Sequence, residues 1–482
     1  MRWHFILKIV GILVAFLGLS MVFPLAWGIY YKDHSVLPLF EAMCITIVAG
    51  ILVYSFFRRA FAESITQREG MAVVAIGWTA VGLFGALPFY FSGEFSTFTD
   101  CFFESVSGFT TTGASILTNV EAVSKGLLFW RNFIQWLGGM GIIVLSVAIL
   151  PFLGVGGMQL YKAEVPTPLP DKLKPRIRDT AMSMWKIYVL ISLAEALLLM
   201  IGGMTLYDSL CHTFTTMPTG GFSTKNASVA HFNSLYFDIV ILFFMLTAGI
   251  NFSLHYQMLS GKPLTLWRDS ECRFFLITVV ILTLIVTFDV FGKVYQNIWQ
   301  ALRYSSFQIV SIITTTGFAT ADYEKWPAMS KIILFLCMFL GASAGSTGGG
   351  MKCLRIMLCF KYCYRELFAI IHPHAVSHVK IAGKTVPDEV MRSVLGFLAL
   401  YMGLFALCSV LLAGMGVDFV TSLSAIAASI GNIGPGFGMV GPLGNYAYIP
   451  LSGKWLLIWC MLLGRLEIFT VIILLVPEFW RR

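Results

Sequence analysis

Residues 107–115 read SGFTTTGAS, and residues 311–321 read SIITTTGFATA. The same Thr-Thr-Thr-Gly tetrad, used twice, is a polar glycine-bearing turn inside a very apolar chain. Of the 482 residues, 57% are hydrophobic and only 12% charged, and the mean hydropathy is +0.81. A soluble domain carries about 25% charged residues, so the composition is that of a polytopic membrane protein. The ten cysteines are scattered without a CxxC pair, which points to neither a disulfide framework nor a zinc site. The first apolar run follows MRWHFILK without a small-residue cleavage site and is expected to be a retained helix.

A bilayer core takes about 20 apolar residues per helix. Such runs fall near 5–30, 37–57, 71–91, 127–150, 182–203, 235–259, 274–291, 331–360, 391–416 and 454–476. Between them lie shorter, semi-polar runs at 97–109, 206–217, 298–313 and 418–431, each followed at once by a glycine-bearing loop. Runs this short do not cross a bilayer. They read as re-entrant segments, which survive only where protein buries them or water lines them. The expected fold is therefore an all-α integral membrane protein with ten transmembrane helices. Two N-terminal helices (1–60) precede four units of long helix, short helix, loop and long helix, at 70–150, 180–260, 270–365 and 388–482.

The four loops read TTTGAS (110–115), PTGGFS (218–223), TTTGFA (314–319) and IGPGFG (433–438). Aligned by eye, they place Gly113, Gly221, Gly317 and Gly436 in one column and Ala114, Phe222, Phe318 and Phe437 in the next. Four such loops in equivalent places predict pseudo-fourfold symmetry about one axis. Loops meeting on an axis form a ring of backbone carbonyls, which replaces the hydration shell of a dehydrated cation. Glycine permits the backbone that turns carbonyls inward, and the hydroxyls of Thr111, Thr112, Thr219, Thr315 and Thr316 add neutral oxygens. No Asp or Glu sits in these loops. A carboxylate-free ring favours a large monovalent ion, with potassium the first candidate. Each short helix aims its partly negative C-terminal end at the axis, which also favours a cation.

Basic residues set the orientation. They gather at Arg58, Arg59 and Arg68, at Lys162, Lys172, Lys174, Arg176 and Arg178, at Lys262, Arg268 and Arg273, and along 352–392. These segments share one side with both termini, which is expected to be cytoplasmic. The stretch 352–392 is also a candidate docking surface for a cytoplasmic partner. Just before it, LGASAGSTGGGMKC (340–353) puts five glycines into a membrane run. Glycine costs about 1 kcal/mol per residue in a helix interior, so this segment is expected to be unwound. It meets the G-x-S-x-G pattern without that motif's strand–turn–helix context, and it misses a P-loop because Met351 separates Gly350 from Lys352. Two readings stand: close helix packing through small residues, or a flexible intramembrane gate at Gly345, Ser346, Thr347, Gly348, Gly349 and Gly350.

Arg465, in MLLGRLEIFTV, lies about 16 Å into the last run. An intramembrane arginine faces protein or water, and it either packs against buried carbonyls or forms an electrostatic barrier in a pore. Glu467, two residues on, falls on another helix face and is not expected to neutralise it. Glu195 reads as a buried interhelical hydrogen-bonding carboxylate. His372, His374 and His378 read as polar loop residues rather than a metal site.

Together, the four repeats, their loops, the broken GASAGSTGGG helix and the late GRLE resemble the TrkH/TrkG branch of bacterial potassium uptake proteins, in the Trk/Ktr/HKT superfamily. The likeness covers essentially the whole chain, and the two leading helices resemble Trk-type rather than shorter KtrB-type members. It implies a potassium-translocating subunit of the bacterial inner membrane with no permanently bound cofactor. It also implies a homodimer in membrane lipid, each protomer with its own pore, associated with a TrkA-type cytoplasmic NAD/ATP-binding regulatory subunit. No nucleic acid partner is implied. Carried over by position, Gly113, Gly220, Gly221, Gly317 and Gly436 become filter residues, 341–350 the gating loop and Arg465 the pore arginine. The fourth loop, GNIGPGFG, lacks threonine and carries Pro435, which brings Asn432, Ile433 and Gly434 in as alternative ligand positions. Two other classes remain: a symporter coupling potassium to H⁺ or Na⁺, for which only Glu195 and Glu467 offer titratable groups, and a membrane-embedded serine enzyme built on Ser343.

Overall fold

The structure is a computed structural model that describes residues 1–60, 66–141, 177–374, 378–381 and 384–480. It is an all-α, multi-pass membrane fold whose described β structure is a two-residue-per-strand hairpin, Lys380–Ile381 against Lys384–Thr385. Six described helices are long and apolar enough to cross a membrane, or seven when Leu235–Gly249 and Phe252–Leu259, bent by 101°, count as one.

The difference from ten expected spans has physical causes. The run 331–360 is two helices, Ala328–Leu340 and Cys353–Ile371, separated by the glycine-rich segment. The run 454–476 stops as a helix at Arg465 and resumes at Ile468. The run 127–150 begins as Lys125–Gly139 and then passes into 142–176, outside the described residues. Lys162, Lys172, Lys174 and Arg176 lie outside them too.

The N-terminal hairpin packs through small residues. Helices Trp3–Ser20 and Val36–Phe57 approach so closely that a Cβ on Gly50 would stand 2.4 Å from Ala15 N, and one on Gly18 2.6 Å from Ile47 Cγ1. Close backbone approach of this kind is how membrane helices gain packing when apolar burial drives nothing.

Four short helices are the part of the fold that positions the site: Phe98–Phe109, Leu206–Thr216, Ile298–Ile313 and Phe419–Ile430. Each begins with a side-chain cap. Thr97, Thr205, Asn297 and Asp418 accept from the N–H groups of Asp100, Asp208, Trp299 and Thr421, satisfying donors that a helix start leaves unpaired. Each also ends alike. Thr111, Thr219, Thr315 and Asn432 adopt left-handed φ of 53°, 58°, 60° and 52°. The next N–H then reaches back to the helix: Thr112 to Ser107 O (2.9 Å), Gly220 to Thr215 O (2.8 Å), Thr316 to Ser311 O (2.8 Å) and Ile433 to Ala428 O (2.8 Å). A left-handed residue after the last turn is a common helix stop. Here it turns the chain out of four helices in one way.

Candidate functional site

The repeated backbone fixes the register of the loops. The residues equivalent to Gly113, Gly221 and Gly317, with φ of 80°, 73° and 80°, include Gly434 at 97°. Gly436 is not in the left-handed region, so the column drawn through Gly436 shifts by two, and the following position becomes Ala114, Phe222, Phe318 and Pro435. Pro435 with its two flanking glycines allows two alignments, and the backbone φ values with the bonds back to the helix distinguish them.

The four glycines lie in a closed cycle. A Cβ on Gly113 would stand 2.0 Å from Gly220 O, one on Gly221 1.9 Å from Thr316 O, one on Gly317 2.0 Å from Ile433 O, and one on Gly434 2.6 Å from Thr112 O. First loop touches second, second third, third fourth, and fourth first. Positive φ and a neighbouring carbonyl on the Cβ side together leave room for glycine alone. One cavity is lined by all four, Gly113, Gly221, Gly317 and Gly434. The structure thus gathers Thr111, Thr112, Thr219, Gly220, Thr315, Thr316, Asn432 and Ile433 around one centre, with Gly436 two residues beyond it.

The TTTG tetrads use their hydroxyls locally. Thr110 Oγ1 donates to Val106 O at 2.7 Å and lies 2.8 Å from Thr112 Oγ1. Thr314 repeats both contacts, with Val310 O and Thr316 Oγ1, at 2.7 and 2.8 Å. In the fourth loop, Asn432 Nδ2 donates to Thr112 Oγ1 (2.9 Å) and Met461 O (3.0 Å), closing the cycle with an amide where the others carry threonine.

A buried polar layer braces the ring from behind. Arg131 Nε donates to Glu104 Oε1 at 2.6 Å, and its Nη1 donates to Ser223 O at 3.1 Å. Its guanidinium lies 3.5 Å over the Phe222 ring. Glu104 also accepts from Ser115 Oγ (2.9 Å) and Ile116 N–H (3.0 Å). Gln135 donates to Gly220 O (2.8 Å) and accepts from Phe222 N–H (3.2 Å). At the positions matching Glu104, His212 meets Ser223 Oγ at 3.1 Å and Gln308 donates to Thr320 Oγ1 at 3.2 Å. Tyr446 OH donates to Gly434 O at 2.6 Å. Sequence reasoning missed all of these. The available signal was the recurrence of Glu104, His212 and Gln308 nine residues before the three glycines 113, 221 and 317.

The glycine-rich segment lies against the other side of the ring. Thr315 Oγ1 accepts from Gly349 N–H at 2.7 Å, and Thr347 Oγ1 donates to Met217 O at 2.9 Å. Gly349 is so close to the fourth loop that a Cβ would stand 2.3 Å from Gly431 O. Main-chain bonds tie Ser343 to Gly249 O (3.0 Å) and Gly345 O to Phe252 N–H (3.1 Å) at the 101° bend. Gly345 and Gly350 take φ of 75° and 71°, and Ser346 Oγ donates to Ser343 O at 2.5 Å. Arg465 Nη1 donates to Thr347 O (2.9 Å), and its Nη2 donates to Gly138 O (2.5 Å) and Gly139 O (2.9 Å). Gly348, Gly349, Gly350 and Arg465 line a common cavity with Lys352.

Two residues counted with the cytoplasmic basic stretch are elsewhere. Lys352 Nζ donates to Gly348 O inside the glycine-rich segment. Arg355 is buried and paired with Glu467, because an arginine this deep needs a partner and the break at 466–467 swings a carboxylate to it. Ser343 Oγ is buried with no hydrogen-bond partner among the described residues, so no base stands beside it there.

Comparison with known proteins gives a consistent result. The family profile described as TrkH, cation transport protein, matches residues 37–482. The chain is 42% identical to the Trk system potassium uptake protein TrkH of Salmonella typhimurium, over all of both chains. It is 36% identical to the Trk system potassium uptake protein TrkG of Escherichia coli, across 98% of this chain and 97% of that one. The crystal structure of the potassium transporter TrkH from Vibrio parahaemolyticus superposes with a TM-score of 0.90 at 37% identity, covering all of both chains.

Proposed function

We propose that this chain, which belongs to the TrkH cation transport protein family, carries potassium into the cell across the bacterial inner membrane. The loops 111–113, 219–221, 315–317 and 432–434 form its selectivity filter, in a pseudo-fourfold arrangement of pore-loop units within ten membrane spans. The carrying observation is the closed cycle of glycine-to-carbonyl contacts. A ring of neutral oxygens without carboxylates suits a weakly hydrated monovalent cation. Gly220 O accepts from Gln135 and, having a second lone pair, still has capacity for an ion.

Residues 345–350 and Arg465 act as the gate. Their contacts join the segment under the ring to three separate helices. In this arrangement the arginine both pins the segment and sets a positive charge on the ion's path. Opening is controlled by a cytoplasmic nucleotide-binding regulatory subunit that engages the exposed part of 356–392. That stretch continues from the gate through helix Cys353–Ile371, where Phe360, Tyr364 and Leu367 are exposed. The protein works as a homodimer with both termini cytoplasmic.

A symporter is the second reading. Glu195 is fully buried on helix Ile177–Ile201, the kind of group that proton coupling requires. Potassium flux in liposomes containing the purified chain separates the two. A channel-like path gives flux that stops at the potassium equilibrium potential regardless of pH or Na⁺ gradients. A symporter gives flux that continues past it.

A further inference from the structure

The cavity lined by the four glycines has a charge that the filter does not require. Its lining includes Lys225 and Arg131 but no Asp or Glu. Arg131 is neutralised by Glu104 at 2.6 Å. Lys225 is half-buried and is a member of none of the ion pairs among the described residues. Its own backbone is fixed, with its N–H donating to Ser223 Oγ (3.1 Å) and its carbonyl accepting from Ser228 N–H (3.1 Å). Three carboxylates stand outside the lining, keep their charge and hydrogen-bond to neutral groups beside the cavity. Asp208 accepts from Thr224 Oγ1 (2.7 Å), Glu121 from Asn226 N–H (3.4 Å) and Glu324 from Gly438 N–H (2.6 Å).

We propose that Lys225 is a specificity-determining residue of the outer mouth, an electrostatic screen that admits monovalent cations in preference to divalent ones. The proposal rests on the filter reading above. The Boltzmann factor for an ion in a fixed potential is raised to the power of the ion's charge. A unit charge about 10 Å away through water changes the local concentration of a monovalent ion about twofold, and of a divalent ion about fourfold. A carbonyl ring sized for potassium does not by itself repel a divalent ion of similar radius. The lysine does so before the ion reaches the ring. Such an effect is screened by salt beyond about 10 Å at 0.1 M.

The test uses the full-length chain in liposomes, with external Ba²⁺ as the divalent probe against potassium uptake. At low ionic strength, Lys225→Gln should strengthen Ba²⁺ inhibition about fourfold and Lys225→Glu about sixteenfold, the square of the first, while Lys225→Arg leaves it unchanged. All differences should collapse in concentrated choline chloride. Unchanged Ba²⁺ inhibition in Lys225→Glu, or a change that persists at high salt, overturns the proposal. If the substitutions prevent folding, Lys225→Cys labelled after reconstitution with cationic or anionic thiol reagents supplies the same comparison, against wild type treated with the same reagents as control for the native cysteines. Wild-type protein that carries no potassium would strike the filter reading instead, and is distinguished by having no flux to inhibit.

Discussion

Arg465 Nη1 donates to the main-chain oxygen of Thr347 at 2.9 Å, joining the end of the last long helix to the middle of the glycine-rich segment. The same guanidinium reaches Gly138 O and Gly139 O at 2.5 and 2.9 Å. Three carbonyls from two unrelated parts of the chain are therefore held by one side chain, using the fork of donors that only arginine has. A hydrogen bond to a charged group contributes about 1.5–3 kcal/mol. In the proposed gate, losing even one would shift the closed–open equilibrium by about 10- to 150-fold.

Arg465→Ala should accordingly raise potassium flux, as should deleting several residues of 343–350. In the proposed gate both act through one closed arrangement, so the double change should exceed neither single change by much. Flux measured in liposomes checks this. A fall in flux in folded, dimeric Arg465→Ala protein would mean that the arginine is structural.

The corrected register separates two glycines that look alike in sequence. Gly434→Ala places a Cβ 2.6 Å from Thr112 O at a φ of 97°, whereas the nearest atoms to a Cβ on Gly436 are side-chain atoms, Ser424 Oγ at 2.8 Å, Ser424 Cβ at 3.0 Å and Val440 Cγ2 at 3.0 Å. The first should lower the K⁺/Na⁺ permeability ratio several-fold, and the second should leave it near wild type. Gly317→Ser, 2.0 Å from Ile433 O, should behave as the first. Reversal potentials under mixed K⁺ and Na⁺ report the ratio directly. Equal losses at 434 and 436 would contradict the register.

Arg355 and Glu467 form a buried pair, with side chains 7% and 14% exposed, and Arg355 lies 4.0 Å over the Phe397 ring. Breaking such a pair leaves an uncompensated charge at a cost of about 3–5 kcal/mol. Glu467→Gln should lower the unfolding temperature in detergent, and Arg355→Met combined with Glu467→Leu should recover much of the loss. A double variant no more stable than the singles would show that the pair's charge is not what matters.

The regulatory subunit is expected to bind the exposed end of helix Cys353–Ile371 and the hairpin beyond it. Replacing 372–387 with a neutral linker should abolish co-purification with a TrkA-type ring while leaving flux through the isolated chain intact. Co-purification that survives the replacement places the contact elsewhere.

Much of this architecture was legible because membrane burial constrains composition. Long apolar runs mark helices, and a run too short to cross, ended by glycine, marks a turn back. The three loops carrying Gly113, Gly221 and Gly317 were legible for that reason. In the fourth, Gly434 and Gly436 flank Pro435 and both stand as candidates in the sequence; the left-handed φ of Gly434 and the bond from Ile433 N–H to Ala428 O at 2.8 Å tell them apart. The break after Arg465 was not legible either. Leu466 to Ile472 stays apolar apart from Glu467 and Thr470, and nothing local announces that this glutamate turns toward an arginine 112 residues earlier. Glu104, Arg131 and Gln135 were missed for the same reason: their partners are brought together by the cycle of loops, not by sequence spacing.

On the reading proposed above, four loops in a closed cycle make a potassium-selective path. The most direct test is the reversal potential of the purified chain in a lipid bilayer with potassium on one side and sodium on the other. A potassium-selective path gives a potential that follows the potassium gradient and does not move when a pH gradient is imposed. A potential that follows sodium, or that shifts with pH, would contradict it.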